Sequence, residues 1–233
     1  VRPTLVEVNF SRLRRNFAAI KKAVAPAKIM PVLKANAYGH GLVRVAQFMQ
    51  ELGADYMGVA VLEEGLLLRE SGITTPILVL GGVLGNQNPH LINHDLTITA
   101  SSITKLQNIE SAARELGRVA RVHLKIDTGM ERIGVYYYNA EGFLQTALDC
   151  QNVQVEGIYT HFANADAADL RHARLQLQRF LDVLSFYRQH GVERPPLVHA
   201  ANSGAVLQLP ESYFDMVRPG ILLYGVYPSN AVR

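Results

Sequence analysis

The 233-residue sequence predicts an α/β fold in which a parallel sheet closes into a (β/α)8 barrel of the TIM type. Short apolar runs alternate almost without interruption with stretches of helical periodicity, the pattern of successive parallel βαβ units. Eight such runs fall in a length that suits one large domain, which favours closure over an open, doubly wound sheet. No internal repeat and no low-complexity linker divides the chain.

The elements follow in order. In Thr4–Asn9, Leu5, Glu7 and Asn9 alternate with Val6, Val8 and Phe10, which predicts a strand outside the eight. Helix Ser11–Val24 comes next, with Ser11 placed to cap it. The barrel strands are expected at Ile29–Leu33, Tyr56–Ala60, Ile77–Leu80, Leu96–Thr99, Ala120–Ile126, Val155–Thr160, Leu197–His199 and Phe214–Val217. Helices are expected at Leu42–Leu52, Leu62–Ser71, Gln87–Asn93, Ser102–Leu116, Ala140–Asp149, Ala168–His190 and, weakly, Ser203–Leu207. The tail Ile221–Tyr227 is apolar and reaches Pro228 without a closing element. The spare strand, this open exit and a start at Val1 without Met suggest that a barrel of residues 11–227 belongs with a further domain. Residues 1–10 would pair with that domain and residues 228–233 would begin the linker to it.

Composition narrows the function. Hydrophobic residues make up 48% and charged residues 18%, which describes a globular chain with a sizeable core. The net charge is only +3, and the densest basic group, Arg12, Arg14 and Arg15, reads as the solvated face of the first helix. No basic stripe interleaved with aromatics is present, so nucleic-acid binding is not indicated. The single cysteine, Cys150, excludes an internal disulfide framework and fits a reducing compartment, hence a cytoplasmic protein. No signal peptide and no long apolar run point to a membrane.

Active sites of such barrels lie at the carboxyl ends of the strands. The first strand runs straight into Lys34, then a small-residue loop with Tyr38, Gly39 and Gly41. A lysine there is poorly placed as a solvated charge and well placed as an amine of lowered pKa for carbonyl condensation. The fifth strand ends in Lys125-Ile126-Asp127-Thr128-Gly129-Met130-Glu131-Arg132, and the sixth in Tyr159-Thr160-His161. The seventh ends in His199-Ala200-Ala201-Asn202-Ser203-Gly204, and the eighth in Arg218-Pro219-Gly220-Ile221. Amines, guanidiniums, imidazoles, a tyrosine, a serine and a glycine turn therefore converge on one face. Each has a plainer reading alone. Lys34 could be a loop charge, His161 a hydrogen-bonded core histidine, Arg218 an ion-pair partner of Asp215, and Ser203 a helix cap. No Ser/His/Asp nucleophile motif and no metal-ligand spacing appears, and Gly81-Gly82 lacks any phosphate-loop context and reads as a turn.

The stretches VLKANAYGHG (32–41), LKIDTGMERIG (124–134), YTHFANAD (159–166), HAANSG (199–204) and MVRPGILLYG (216–225) resemble the N-terminal barrel of the alanine racemase family, pyridoxal-phosphate enzymes of fold type III. They lie in order over nearly the whole chain. The resemblance implies that Lys34 holds pyridoxal phosphate as an imine and serves as one of two acid–base groups. Tyr38, Asn202, Ser203, Gly220 and Ile221 would surround the phosphate, and Arg218 would face the pyridine nitrogen. His161 would bond Arg218, Arg132 would bind the ring hydroxyl and the substrate carboxylate, and Lys125 matches a position that is often carbamylated. Because a guanidinium does not surrender its proton, the ring nitrogen would stay unprotonated, which favours clean α-proton exchange over transamination. The resemblance further implies alanine as substrate, D-alanine supply for peptidoglycan, and a homodimer. In the family a C-terminal β-domain takes up the first strand and supplies the second base, a tyrosine, across the dimer interface. Alternatives of other kinds are a racemase of serine or of broad specificity, a non-catalytic pyridoxal-phosphate carrier barrel, and a fold-type III decarboxylase. Tyr224 and Tyr227 match no family role, and Glu131 reads as a variable position.

Overall fold

A computed structural model describes residues 6–232. Of the strand expected over Thr4–Asn9, residues 4 and 5 lie outside the described residues, and residues 6–9 form no strand. The helix begins one residue earlier than expected, at Phe10, because Asn9 and not Ser11 caps it: Asn9 Oδ1 accepts the Arg12 amide at 3.0 Å. Leu13, Phe17, Ile20 and Val24 form its buried stripe.

The strands are β1 (Lys28–Ile29), β2 (Met57–Val59), β3 (Ile77–Val79), β4 (Leu96–Ala100), β5 (Ala120–Asp127), β6 (Val135–Tyr136), β7 (Val153–Tyr159), β8 (Leu197–His199) and β9 (Met216–Val217). All pair in parallel. The order β2-β3-β4-β5-β7-β8 forms one sheet, β6 is a short strand on the end of β5, and β1 pairs with β9. Backbone bonds close the ring on both sides of that last pair. Leu33 donates to Gly58 at 2.7 Å and Gly58 to Pro31 at 2.9 Å, while Asp215 donates to Val198 at 3.0 Å and Arg218 to Ala201 at 2.9 Å. The eight principal strands thus make a closed (β/α)8 barrel.

Strands β1, β2, β3 and β9 are shorter than expected, and for β1 and β9 the reason is identifiable. Pro31 has no amide to give and interrupts β1, although Val32 beyond it still bridges to Gly58. Phe214 has a left-handed backbone (φ 48°) and cannot open β9. The 140–149 helix and β8 fall on their expected bounds, whereas the long helix starts at Arg171, after the loop that leaves β7. Most buried apolar side chains lie in one continuous core. A second cluster of Met30, Tyr56, Leu78, Tyr159, Leu197 and Met216 is separate from it, as expected for residues facing the barrel axis. No described helix is long and apolar enough to cross a membrane.

Candidate active site

The carboxyl ends of the strands surround a cavity of about 400 Å³. Its walls include all ten residues singled out from the sequence: Lys34, Tyr38, Lys125, Arg132, His161, Asn202, Ser203, Arg218, Gly220 and Ile221.

Lys34 opens an unusual turn. Ala35, Asn36, Ala37 and Tyr38 all have φ between 53° and 55°, one full turn of left-handed helix without a glycine. L-residues resist this conformation, so outside contacts must hold it. Asn36 Oδ1 accepts the Leu42 amide at 2.8 Å. Glu64, in the first turn of the helix after β2, takes the Asn36 amide on one oxygen at 3.2 Å and the Ala60 amide on the other at 2.8 Å. Tyr224 packs against Tyr38 and His40, with ring centroids 5.1 and 4.5 Å away. The turn sends Lys34 into the cavity with no carboxylate in ion-pair range among the described residues, and turns the Tyr38 hydroxyl toward Gly220. A Cβ at Gly220 would stand 2.5 Å from that oxygen, so the close approach requires glycine.

Arg132 rides on a loop gathered by one carboxylate. Asp127 accepts the amides of Gly129, Met130, Glu131 and Arg132 at 2.9 to 3.1 Å. Burial alone would raise its pKa, but the four amide donors outweigh that and hold it below the usual value. Arg179 donates to Thr128 O at 2.9 Å and pins the loop from the long helix. Asp127 thus gathers the loop, and its charge also acts on the nearby Lys125.

Lys125 is buried, and among the described residues its side chain bonds only Ile126 O, at 3.3 Å. Desolvation, with Arg218 close by, pushes its pKa well below that of a free lysine. Arg218 is also buried. It donates through Nη1 to His199 Nδ1 at 2.8 Å and through Nη2 to Thr160 O at 2.7 Å and Ala200 O at 3.1 Å. Nε has no partner among the described residues, and one Nη1 hydrogen is also unassigned, so the guanidinium keeps donors for a ligand. Desolvation lowers Arg218 to about 10, which still leaves it charged at neutral pH. His161 Nδ1 lies 3.4 Å from Nη2, a long contact beside two better acceptors. Burial first, and the cations second, hold His161 well below a free imidazole, so it is neutral. The simple pairing of Arg218 with Asp215 is excluded, because Asp215 binds Arg194 at 2.6 Å instead.

Nor is Ser203 a helix cap. Asn202 fills that place, accepting the Ala205 amide at 3.1 Å, while its Nδ2 donates to Phe162 O at 3.2 Å. Ser203 Oγ accepts from Gly220 N at 2.9 Å and Leu222 N at 3.3 Å, which leaves its proton free to donate. The Gly220 amide is thereby occupied, and the Ile221 amide has no partner among the described residues.

Sequence reasoning passed over Glu64, His123 and Gln176, and placed Tyr159 at a strand end without a role. Gln176 takes the Ala163 amide at 2.9 Å and donates to His161 O at 3.1 Å, fixing the loop after β7. The Asp127-Thr128-Gly129 triplet did carry a signal, since an Asp two residues before Gly marks a side-chain-closed turn.

The mouth of this closed (β/α)8 barrel thus gathers the Lys34 amine, two guanidiniums, a buried lysine, and free hydroxyl and amide donors. The profile of the family described as "Alanine racemase, N-terminal domain" matches residues 8–228, and the chain belongs to that family. Alanine racemase of Carboxydothermus hydrogenoformans is 44% identical over 232 residues, covering 100% of this chain and 62% of the relative. That of Methanococcus maripaludis is 39% identical, covering 99% and 62%. Among solved structures, alanine racemase of Clostridium difficile 630 in complex with cycloserine aligns with a TM-score of 0.96 at 36% identity, over 100% of this chain and 64% of that one. The Bacillus anthracis enzyme with bound L-Ala-P aligns at 0.91 and 36%, over 99% and 60%. The chain thus spans about three-fifths of the length of the curated relatives it matches.

Proposed function

We propose that this chain is the cofactor-binding barrel of a pyridoxal-phosphate enzyme that interconverts L-alanine and D-alanine. The observation that carries the reading is the charge pattern of the cavity. Lys34, Arg132, Arg218 and Lys125 line it with a single carboxylate, Asp166, so basic side chains outnumber acidic ones four to one in the wall. Such a site calls for anions and an aldehyde, and pyridoxal phosphate with an amino-acid carboxylate supplies both. When bound, the cofactor supplies the electron sink that makes the substrate α-proton acidic.

The residues present fit it. Lys34 Nζ would attach it covalently and, once released, hold and return a proton on one face of the substrate α-carbon. The Tyr38 and Ser203 hydroxyls and the Ile221 amide would bind the phosphate, beside the Asn202 and Gly220 positions. Arg218 Nε would donate to the ring nitrogen without giving up its proton, with neutral His161 alongside. Arg132 would orient the substrate carboxylate, and carbamylation of Lys125 would set a negative charge between Arg132 and Arg218. We place the second base in the portion of the relatives' length that this chain does not span, supplied across a homodimer. In the cell the product would feed peptidoglycan synthesis in the cytoplasm.

Borohydride reduction of the chain with pyridoxal phosphate, followed by peptide mapping, tests the attachment. Label on Lys34, lost in Lys34→Ala, is expected, and label on another residue overturns it. Full turnover of alanine by the 233-residue chain alone would remove the need for a second base from elsewhere.

A further inference from the structure

Behind Arg218 lies a second buried imidazole, and the donors and acceptors there admit one arrangement of protons. Arg218 Nη1 lies 2.8 Å from His199 Nδ1, and His199 Nε2 lies 2.8 Å from His123 Nδ1. A guanidinium can only donate, so His199 Nδ1 must present its lone pair and carry its proton on Nε2. That proton points at His123, whose Nδ1 must then accept, which places the His123 proton on Nε2. The reverse order would set an N–H of His199 against an N–H of Arg218. His123 Nε2 is buried and has no hydrogen-bond partner among the described residues. The fold leaves one N–H unsatisfied in order to hold the chain of bonds in this sense.

The surroundings keep both rings neutral and still. His199 stacks on Tyr159 at 5° and 4.7 Å, and His123 lies against Tyr56 at 5.4 Å. Both tyrosine hydroxyls are engaged elsewhere, Tyr159 with Thr99 at 2.9 Å and Tyr56 with Glu156 at 2.9 Å. Desolvation comes first, and the Arg218 guanidinium facing the pair, with Lys125 near His199, further opposes a positive charge on the rings. Desolvation holds His199 well below a free imidazole and pushes His123 down to about 3.

We propose that His123 is a positioning residue: by accepting from His199 it fixes the tautomer of that ring, and through it the aim of the Arg218 guanidinium into the cavity. What Arg218 faces there rests on the pyridoxal-phosphate reading above, whereas the proton arrangement does not.

The test is ¹⁵N NMR of the histidine rings in the 233-residue chain without added ligand. Both His199 and His123 are expected to show protonated Nε2 and unprotonated Nδ1, unchanged between about pH 5 and pH 8, where a free histidine titrates. A proton on Nδ1 of either ring overturns the proposal. His123→Phe removes the acceptor and is expected to break the single His199 state and to weaken pyridoxal-phosphate binding about tenfold. His123→Asn, whose amide oxygen can stand in for Nδ1, should restore both. A His123→Phe variant that keeps the single His199 state and parental binding refutes the positioning role. If the parent takes up no pyridoxal phosphate while the ¹⁵N pattern holds, the cofactor reading fails and the relay stands.

Discussion

Replacing Glu64 with glutamine changes one atom and leaves the left-handed turn after Lys34 without half its brace. The carboxylate serves two amides, Ala60 at 2.8 Å and Asn36 at 3.2 Å. In Glu64→Gln the remaining oxygen keeps the shorter bond, and the new NH₂ group meets the Asn36 N–H donor to donor. Losing a bond to a charged acceptor costs roughly 1.5–3 kcal/mol when buried, and water at the exposed Asn36 recovers part, so the net loss is about 1–2 kcal/mol. The turn it releases is under tension, because each left-handed non-glycine residue costs roughly 1–2 kcal/mol. Ala35→Gly should act in the opposite sense. It relieves about 1 kcal/mol of that cost and adds about 0.5–1 kcal/mol of chain entropy, for a neutral or slightly stabilising result. In an ordinary right-handed helix the same change destabilises by about 1 kcal/mol. Urea unfolding reads both variants, and hydrogen exchange of the 34–41 peptide reads the turn itself. Faster exchange in Glu64→Gln, restored in part by Ala35→Gly, is expected. The reasoning is refuted by Glu64→Gln within about 0.3 kcal/mol of the parent with unchanged exchange, or by Ala35→Gly destabilising by about 1 kcal/mol.

Two further outcomes follow from geometry. Gly220→Ala puts a methyl 2.5 Å from the Tyr38 hydroxyl and should weaken pyridoxal-phosphate binding by about tenfold or more, read by titration, with little change in the urea midpoint. Asp127 has a lowered pKa in the folded chain, so its contribution is complete above its unfolded value of about 3.9 and is lost as pH falls through that value toward the folded one. Unfolding midpoints measured across this window should fall more steeply for the parent than for Asp127→Asn.

The fold was legible because strand and helix periods alternate cleanly, and the cavity was legible because its side chains sit at strand ends. What escaped depends on contacts between distant segments. The 35–38 turn contains no glycine, and only Asn36 hints at a left-handed backbone. Its cause, Glu64, looks like any acidic residue in a helix's first turn. His123 lies mid-strand, four residues before the end of β5, and nothing in local spacing says that it meets His199 across the barrel. Ser11 is the expected cap, but Asn9 is as good a cap by residue type and takes the place, so residue type alone does not fix the helix start. Conversely, Arg218 and Asp215 are close in sequence yet face different partners, because the strand directs alternate residues to opposite sides.

Lys125 offers the last and most exacting check on the electrostatics. A buried lysine with a depressed pKa binds fewer protons folded than unfolded, so its burial costs stability at neutral pH and the cost shrinks as pH rises toward about 10.4. The neutral amine that results is a nucleophile for carbon dioxide: an N–C bond forms, one proton leaves the nitrogen, and the product carries a carboxylate. That anion would stand among the very cations, Arg218 and Arg132, that disfavour the ammonium form. The modification would replace a buried neutral amine beside two guanidiniums with charge-assisted hydrogen bonds to them. Added bicarbonate should raise the urea midpoint at neutral pH, and ¹³C-bicarbonate should give a carbamate resonance, both lost in Lys125→Ala. A parent chain that shows no carbamate resonance and no bicarbonate-dependent midpoint would mean that Lys125 stays unmodified and that no carbamate stands beside Arg218 and Arg132.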